Sequence, residues 1–166
     1  GLALQGFLPV VNSFGCFLAS RACEQIYINA TEKTKIIYAC HYAGILPAGP
    51  GKSHQSLRDI ALFSALPNCT VMEPCNEIEA RALMKWCVEE AQENCMIRLI
   101  ITPSPSVIEF PEPYSLTFGQ GTVLSEGTDA ILFTYGPIML HEAFCALLGL
   151  TERPNLLYVF SQPFIE

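Results

Sequence analysis

Residues 35–41 read KIIYACH, and the residues that follow, 42–53, read YAGILPAGPGKS. A short run of aliphatic, aromatic and small apolar residues, closed by glycine and proline, is typical of a buried strand that ends in a loop. Similar runs lie on either side of this stretch, at Phe7–Asn12 (FLPVVN), Thr70–Glu73 and Met96–Ile101 (MIRLII). We therefore expect these runs to be neighbouring strands of one sheet.

Helix-like segments separate the predicted strands. Apolar residues recur at three- and four-residue spacing from Ser13, a plausible N-cap, to about Glu32, and helical patterns also cover Leu57–Ala65 and Asn76–Glu93. Alternation of strand and helix is typical of α/β proteins. The sequence therefore predicts an α/β fold with a mainly parallel sheet and helices on both faces.

The chain changes character from Thr102 to Gly121, which is rich in proline and has little periodicity. We interpret residues 1–101 as one domain, residues 102–122 as a proline-rich linker and residues 123–166 as an incomplete second α/β unit. Within that last part the pattern predicts three elements: a strand over Asp129–Tyr135, a helix from Gly136-Pro137 to about Leu148, and a strand from Leu156 to Phe160.

The composition limits the kinds of partner. Hydrophobic residues make up 51% of the chain and charged residues only 15%, against about 25% charged in ordinary soluble domains, so we expect a large buried interface. The net charge of -7 argues against nucleic acid or an anionic membrane surface as the main partner. No uncharged apolar run approaches the ~20 residues that span a bilayer.

Eight cysteines in one chain suggest disulfides. However, the sequence has no CxxC pair and no zinc-type spacing, and the start of the chain lacks the basic residues of a signal peptide. We expect free thiols in a cytoplasmic protein. Most of the cysteines lie among apolar neighbours in predicted helices or strands: Cys16, Cys23, Cys40, Cys87, Cys95 and Cys145.

Candidate site residues follow two of the predicted strands. Ligands bind at the carboxyl ends of the strands in an open parallel sheet, where this sequence places Phe14 and Phe17 after the first strand. The glycine-rich loop after the second strand begins at His41 and ends at His54. Either histidine alone would more often be structural, but two histidines around one glycine-rich loop favour a site. The loop is not a phosphate-binding Walker motif, because Leu46 stands where that motif has its first glycine.

The order of these motifs resembles the pyrimidine-binding domain of transketolases, which depend on thiamine diphosphate. The resemblance covers residues 1–101, and a weaker one, to the start of the family's C-terminal domain, covers Val123 to about Leu148. Each motif alone is loose, but several in the right order are specific. The matching segments are PVVNSFGCFLASRACEQI (residues 9–26), CHYAG (40–44), SHQSLRDIA (53–61) and PNCTVMEP (67–74).

This resemblance implies a function. In the family, residues at the positions of Phe14 and Phe17 lie against the aminopyrimidine ring of the cofactor, and histidines at the positions of His41 and His54 line the substrate channel. The diphosphate and its Mg²⁺ or Ca²⁺ are held by a separate domain, usually of a partner subunit in a homo-oligomer. The expected activity is transfer of a two-carbon ketol unit, with a ketose or 2-oxo compound as substrate.

The sequence also departs from the transketolase pattern. Pro50 stands where an aspartate usually contacts a substrate hydroxyl, Ile101 and Thr102 where an arginine holds sugar phosphate, and the family's catalytic glutamate lies before the segment that matches Gly1. Deoxyxylulose-phosphate synthases, with an arginine at the His41 position, and the β subunits of 2-oxoacid dehydrogenases fit less well. The alternative from another class is a non-catalytic or truncated partner that binds another subunit through an apolar face.

Overall fold

The structure, a computed structural model, describes residues 1–103, 109–110, 112–149, 157–161 and 164–165. The chain forms two compact units. The first comprises Gly1–Met72, Met84–Pro103 and Ile165–Glu166, and the second comprises Glu73–Leu83 and Ser104–Phe164.

The first unit is built on a parallel sheet. Its strands are β1 (Val10–Phe14), β2 (Ile37–His41), β3 (Cys69–Met72) and β4 (Asn94–Leu99), and its helices are α1 (Gly15–Arg21), α2 (Cys23–Thr31) and α3 (Asp59–Ser64). Helix α4 (Glu77–Glu89) falls partly in each unit. Parallel pairing of β1 with β2, β2 with β4 and β3 with β4 gives these four strands the order β1-β2-β4-β3. The predicted α/β fold class is confirmed.

Both faces of this sheet are covered because its strands are apolar on both sides. Successive residues of a strand point to opposite faces. On one face Tyr38 packs against Phe63 of α3, with ring centroids 5.8 Å apart. On the other face the Cys87 sulfur of α4 lies 3.6 Å from the sulfur of Met72. Strand β2 is buried over Ile37–Cys40, as the run KIIYACH predicts.

The first predicted helix is wrong in its extent. The chain stays extended to Phe14, and Ser13 pairs with Cys40 in the sheet, so Ser13 is not a helix cap. Phe14 precedes the first helical residue with β-region dihedral angles. The predicted helix is also interrupted at Ala22, where φ is -105° and ψ is 10°, which divides it into α1 and α2. Strand pairing outweighs the helical periodicity before Gly15.

The second unit has a mixed sheet. It contains β5 (Thr122–Ser125), β6 (Ala130–Thr134), α5 (Pro137–Gly149) and β7 (Leu157–Ser161). The two-residue strand β8 (Phe164–Ile165) belongs to the first sheet, next to β3. Strand β7 pairs with β6 in parallel and with β5 antiparallel. The sequence did not predict β5 as a strand. Strand β5 lies at the edge of this sheet, and its four residues are too few to show a hydrophobic period in the sequence.

Two residues of the predicted linker belong to the interior of this second unit. Phe110 is buried with Cys75 and Leu140, and the Tyr114 hydroxyl donates a hydrogen bond of 3.0 Å to the buried carboxylate of Glu79. Other parts of the stretch lie outside the described residues. The division into residues 1–101, 102–122 and 123–166 stays a prediction.

Candidate functional site

The carboxyl ends of β1 and β2 meet at one edge of the first sheet. Their last residues, Phe14 and His41, are register partners, and both side chains are half-buried. Parallel strands place their carboxyl ends on the same edge, where ligands bind in open α/β sheets. The structure therefore places these two candidate residues side by side.

His54 joins this edge through contacts with two phenylalanine rings. Its ring centroid lies 5.5 Å from that of Phe14 and 5.2 Å from that of Phe17, and the two phenylalanine centroids are 5.4 Å apart. The rings are tilted or edge-on to one another, which is the favoured geometry for aromatic pairs. We call Phe14, Phe17 and His54 the aromatic cluster. The structure thus brings together three of the residues that the sequence marks as candidates for a site.

The loop from Tyr42 to Ser56 returns because its two ends are joined. Gly44 N–H donates to Ser56 C=O at 3.1 Å, and Ser56 N–H donates to Gly44 C=O at 2.8 Å. Gly44 has a φ of 79°, a left-handed conformation that glycine adopts at little cost. These two hydrogen bonds bring the end of the loop, and His54 with it, back to the end of β2.

Tyr42 turns the chain at the end of β2. It has a φ of 56°, unusual for a residue with a side chain, and it is 1% exposed. Its hydroxyl donates to the Pro47 carbonyl, and its ring lies edge-on to Phe14 with centroids 6.1 Å apart. Tyr42 therefore supports both the loop and the aromatic cluster.

The Ser53 hydroxyl orients the His54 ring. Ser53 Oγ lies 2.9 Å from His54 Nδ1 and donates to the Pro50 carbonyl at 3.3 Å. A hydroxyl has one proton to donate, so with that proton on Pro50 it accepts a hydrogen bond from His54 Nδ1–H. In the other tautomer of His54 the hydroxyl donates to Nδ1 instead, and in both arrangements Nε2 is the ring nitrogen left to bond a bound molecule.

A cation covers part of the aromatic cluster. The guanidinium carbon of Arg21 lies 3.9 Å from the centroid of Phe17. This cation–π contact fixes the Phe17 ring, and it occupies one face of that ring. Arg21 lies in the predicted helical pattern but was given no role there. Arg21 follows Phe17 by four residues, a spacing that places two side chains on the same face of a helix.

Cys16, beside the cluster, is unsuited to act as a nucleophile. Burial raises the pKa of the Cys16 thiol above its ordinary value, so the thiol stays protonated near neutral pH. Burial likewise raises the pKa of Cys40. No disulfide joins the cysteines, all of which lie in described residues.

The described part of the chain contains no group of three or more His, Cys, Asp or Glu side chains arranged to hold a metal ion. None of its helices combines the length and the apolar character needed to cross a membrane.

The geometry gathers aromatic rings and histidines at the carboxyl edge of a parallel α/β sheet, and the comparison with known proteins identifies the family of the chain. A family model described as "Transketolase, pyrimidine binding domain" matches residues 1–101. The chain belongs to this family of thiamine-diphosphate-dependent enzymes, as the order of its motifs predicts. Family membership does not favour the alternative of a non-catalytic partner protein.

Two curated relatives carry the same name. The 1-deoxy-D-xylulose-5-phosphate synthase of Brevibacillus brevis is 30% identical over 138 residues, which are 83% of this chain and 22% of that protein. The synthase of Prochlorococcus marinus strain MIT 9303 is 31% identical over 167 residues, which are 100% of this chain and 26% of that protein. The chain thus spans about a quarter of the length of these relatives.

Solved structures share the fold. A split gene transketolase, described as an inactive beta4 tetramer, is 31% identical with a TM-score of 0.84, over 98% of this chain and 51% of that chain. A transketolase from Pichia stipitis has a TM-score of 0.80 at 22% identity, over 93% of this chain and 23% of that chain, and shows the fold alone. Synthases and a transketolase match at similar identity, so the preference for transketolase stays a prediction.

Three buried polar residues next to the β1–α1 turn were not predicted from the sequence. Arg98 and Asp59 form an ion pair with side chains 7% and 1% exposed. Ser56 is 2% exposed, and its Oγ has no hydrogen-bond partner among the described residues. The charged Arg98 inside the apolar run MIRLII was the available signal, because a buried charge needs a partner.

Proposed function

We propose that this chain supplies the aminopyrimidine-binding half of a thiamine diphosphate site in a transketolase-like transferase. Phe14 and Phe17 lie against the aminopyrimidine ring, and His41 and His54 line the substrate channel. The observation that carries the proposal is the aromatic cluster at the carboxyl edge of the sheet, within the residues that the family model matches.

The residues present fit a flat heterocycle. The rings of Phe14 and Phe17 are half-buried, so part of each ring surface is accessible, while the flanking Tyr42 is buried and holds the cluster in place. An aromatic surface stacks well on a heterocycle and excludes water from it. Arg21 covers one face of Phe17, which leaves Phe14 as the main stacking surface. Bound thiamine diphosphate supplies the nucleophilic carbon and the electron sink for cleaving a C–C bond next to a carbonyl.

The histidines handle protons of the substrate. His54 is held at Nδ1 by the Ser53 hydroxyl, which leaves Nε2 to exchange a proton with the substrate. His41, next to Phe14 along the edge, is half-buried and can donate to or accept from a substrate hydroxyl. A positioned proton acceptor or donor contributes about 10²- to 10⁴-fold to a rate. The substrate is a ketose or 2-oxo compound, from which a two-carbon ketol unit is transferred.

The rest of the cofactor is held by a diphosphate-binding domain or subunit, together with Mg²⁺ or Ca²⁺, in a cytoplasmic homo-oligomer. Low charge and exposed apolar side chains support an extensive interface: Leu2, Leu4, Phe7 and Val10 are each more than half exposed. A separate subunit is supported by the likeness to a split gene transketolase.

A 1-deoxy-D-xylulose-5-phosphate synthase is the second candidate function, because relatives of that name are 30% and 31% identical to the chain. Product analysis separates the two candidates. Ketol transfer from a ketose to an aldehyde supports the first, and formation of 1-deoxy-D-xylulose 5-phosphate supports the second.

Calorimetry of thiamine diphosphate binding tests the proposed cofactor role, with the chain assembled with a diphosphate-binding partner. Phe14→Ala removes one stacking surface, worth about 0.5–1.5 kcal/mol, so we expect the affinity to fall up to about tenfold. Phe118→Ala is the matched control, since Phe118 is an exposed ring of the second unit. Equal affinity of the Phe14→Ala and Phe118→Ala variants would contradict the proposal.

A further inference from the structure

A buried ion pair fixes the start of α3 to the sheet. Arg98 of β4 donates from Nε to Asp59 Oδ2 at 2.9 Å and from Nη2 to Asp59 Oδ1 at 3.4 Å. Arg98 is the register partner of Cys40, one residue before the end of β2, and Asp59 is the first residue of α3. Two contacts to one carboxylate restrict its orientation as well as its distance. The pair therefore holds Asp59 at the same sheet edge as the aromatic cluster.

Asp59 and Ser56 lie against the backbone that joins the two phenylalanines. A Cβ atom added to Gly15 would lie 3.0 Å from Ser56 Oγ and 3.4 Å from Asp59 Oδ2. Gly15 follows Phe14 directly and begins the helix that carries Phe17. The side chains of the loop thus approach the β1–α1 turn as closely as a glycine allows.

The same segment carries His54, two residues before Ser56. Ser56 is itself held by the two backbone hydrogen bonds with Gly44. Between Gly44 and Asp59 the segment is therefore fixed at both ends. The hydrogen bonds at Ser56 and the ion pair at Asp59, three residues later, thus both hold the segment that carries His54 against the β1–α1 turn.

We propose that the Arg98–Asp59 ion pair is a positioning device that holds His54 against Phe14 and Phe17. Its functional meaning rests on the proposed role of His54. Replacing a buried ion pair by apolar residues is often neutral or stabilising, so stability alone does not account for the charges. In this fold the Arg98–Asp59 ion pair fixes the distance between the segment that carries His54 and the β1–α1 turn, because Asp59 and Ser56 contact that turn at Gly15.

The position of His54 can be measured in the full chain without cofactor or substrate. Rings close to a histidine shift its NMR resonances, so the Hε1 and Cε1 signals of His54 report its distance from Phe14 and Phe17. The informative variants are Asp59→Asn, which removes one charge, and Arg98→Lys, which keeps the charge but loses the two-pronged contact. Glu77→Gln is the matched control, because the Glu77–Arg81 ion pair is exposed.

The variants are measured at a temperature where circular dichroism shows that they are folded. We expect Asp59→Asn and Arg98→Lys to move the His54 chemical shifts at least halfway towards those of the unfolded chain. The His141 signals, from the second unit, and all signals of Glu77→Gln should stay in place. A folded variant that unfolds at lower temperature but keeps its His54 signals would overturn the proposal, since the ion pair would then be only stabilising.

A further variant that keeps both charges allows the test to be made even if the two ion-pair variants do not fold. Gly15→Ala pushes on Ser56 and Asp59 by a few tenths of an ångström while the ion pair remains. If the two ion-pair variants do not fold, displaced His54 signals in Gly15→Ala support the proposal, and unchanged signals overturn it. These NMR measurements do not use thiamine diphosphate. Calorimetry of the Phe14→Ala variant can therefore refute the proposed cofactor role without refuting the role of the ion pair, and the reverse also holds.

Discussion

Replacing His54 by alanine tests the catalytic role that we propose for it. In the assembled enzyme we expect the rate to fall about 10²- to 10⁴-fold, the usual effect of losing a positioned proton acceptor. That loss corresponds to about 2.7–5.4 kcal/mol in the activation barrier. The assay is initial-rate kinetics of the chain combined with its diphosphate-binding partner.

The stability cost of the same change follows from the ring contacts. His54 contacts Phe14 and Phe17 at centroid distances of 5.5 and 5.2 Å, and each aromatic pair contributes about 0.5–1.5 kcal/mol. Because the three rings are only half-buried, we expect a loss near the lower end, about 1–2 kcal/mol. Urea unfolding monitored by fluorescence of Trp86, the chain's one tryptophan, measures it.

His54→Phe is the informative companion variant, because it keeps an aromatic ring in the cluster and removes the proton acceptor. We expect its stability to stay close to that of the parent while its rate falls as far as that of His54→Ala. His141→Ala, in the second unit, should leave the rate unchanged. If His54→Ala costs several kcal/mol of stability and leaves the rate intact, His54 is a structural histidine and the reasoning is refuted.

Three further predictions concern the chain as a whole. Burial raises the pKa of the Glu79 carboxyl above its ordinary value. A carboxyl with a higher pKa in the folded chain than in the unfolded chain stabilises the fold at low pH, and this stabilisation is lost as the pH rises through the folded-state pKa. Urea unfolding should therefore show the parent losing stability relative to Glu79→Gln as pH rises above about 4.5, and a constant difference would contradict this sign. The isolated chain should bind thiamine diphosphate more weakly than micromolar, because one domain offers only part of the contacts; calorimetry giving micromolar or tighter affinity would count against a second binding domain. All eight cysteines should react with a thiol reagent under denaturing, non-reducing conditions, and a lower count would oppose a cytoplasmic origin.

The sequence predicted the parallel sheet because its buried strands carry their signal locally. The run KIIYACH is buried over Ile37–Cys40, and the residue that ends it, His41, had to lie at the carboxyl edge. The positions of Phe14 and His54 were predictable for the same reason. Phe14 lies at the end of the first strand, and His54 closes the loop that follows the second strand. The positions of the predicted strands and of the loop between them were enough for these placements.

What the sequence did not predict depends on contacts between distant residues. Arg98 and Asp59 are 39 residues apart, and only the folded chain pairs them. Ser13 looked like a helix cap because its helical neighbours begin two residues later, but pairing with β2 keeps it in a strand. Strand β5 depends on its antiparallel partner β7. Each of these features is decided by tertiary pairing, which local periodicity does not encode.

The central claim, that the aminopyrimidine ring lies against Phe14 and Phe17, can be tested by transferred nuclear Overhauser effects between thiamine diphosphate and the chain. Weak binding suits this measurement, and selective labelling of phenylalanine distinguishes the rings. We predict effects from the pyrimidine methyl protons to the ring protons of Phe14 and Phe17 and none to Phe118 in the second unit. Effects that reach Phe118 but not Phe14 or Phe17 at a saturating concentration of thiamine diphosphate would contradict the account.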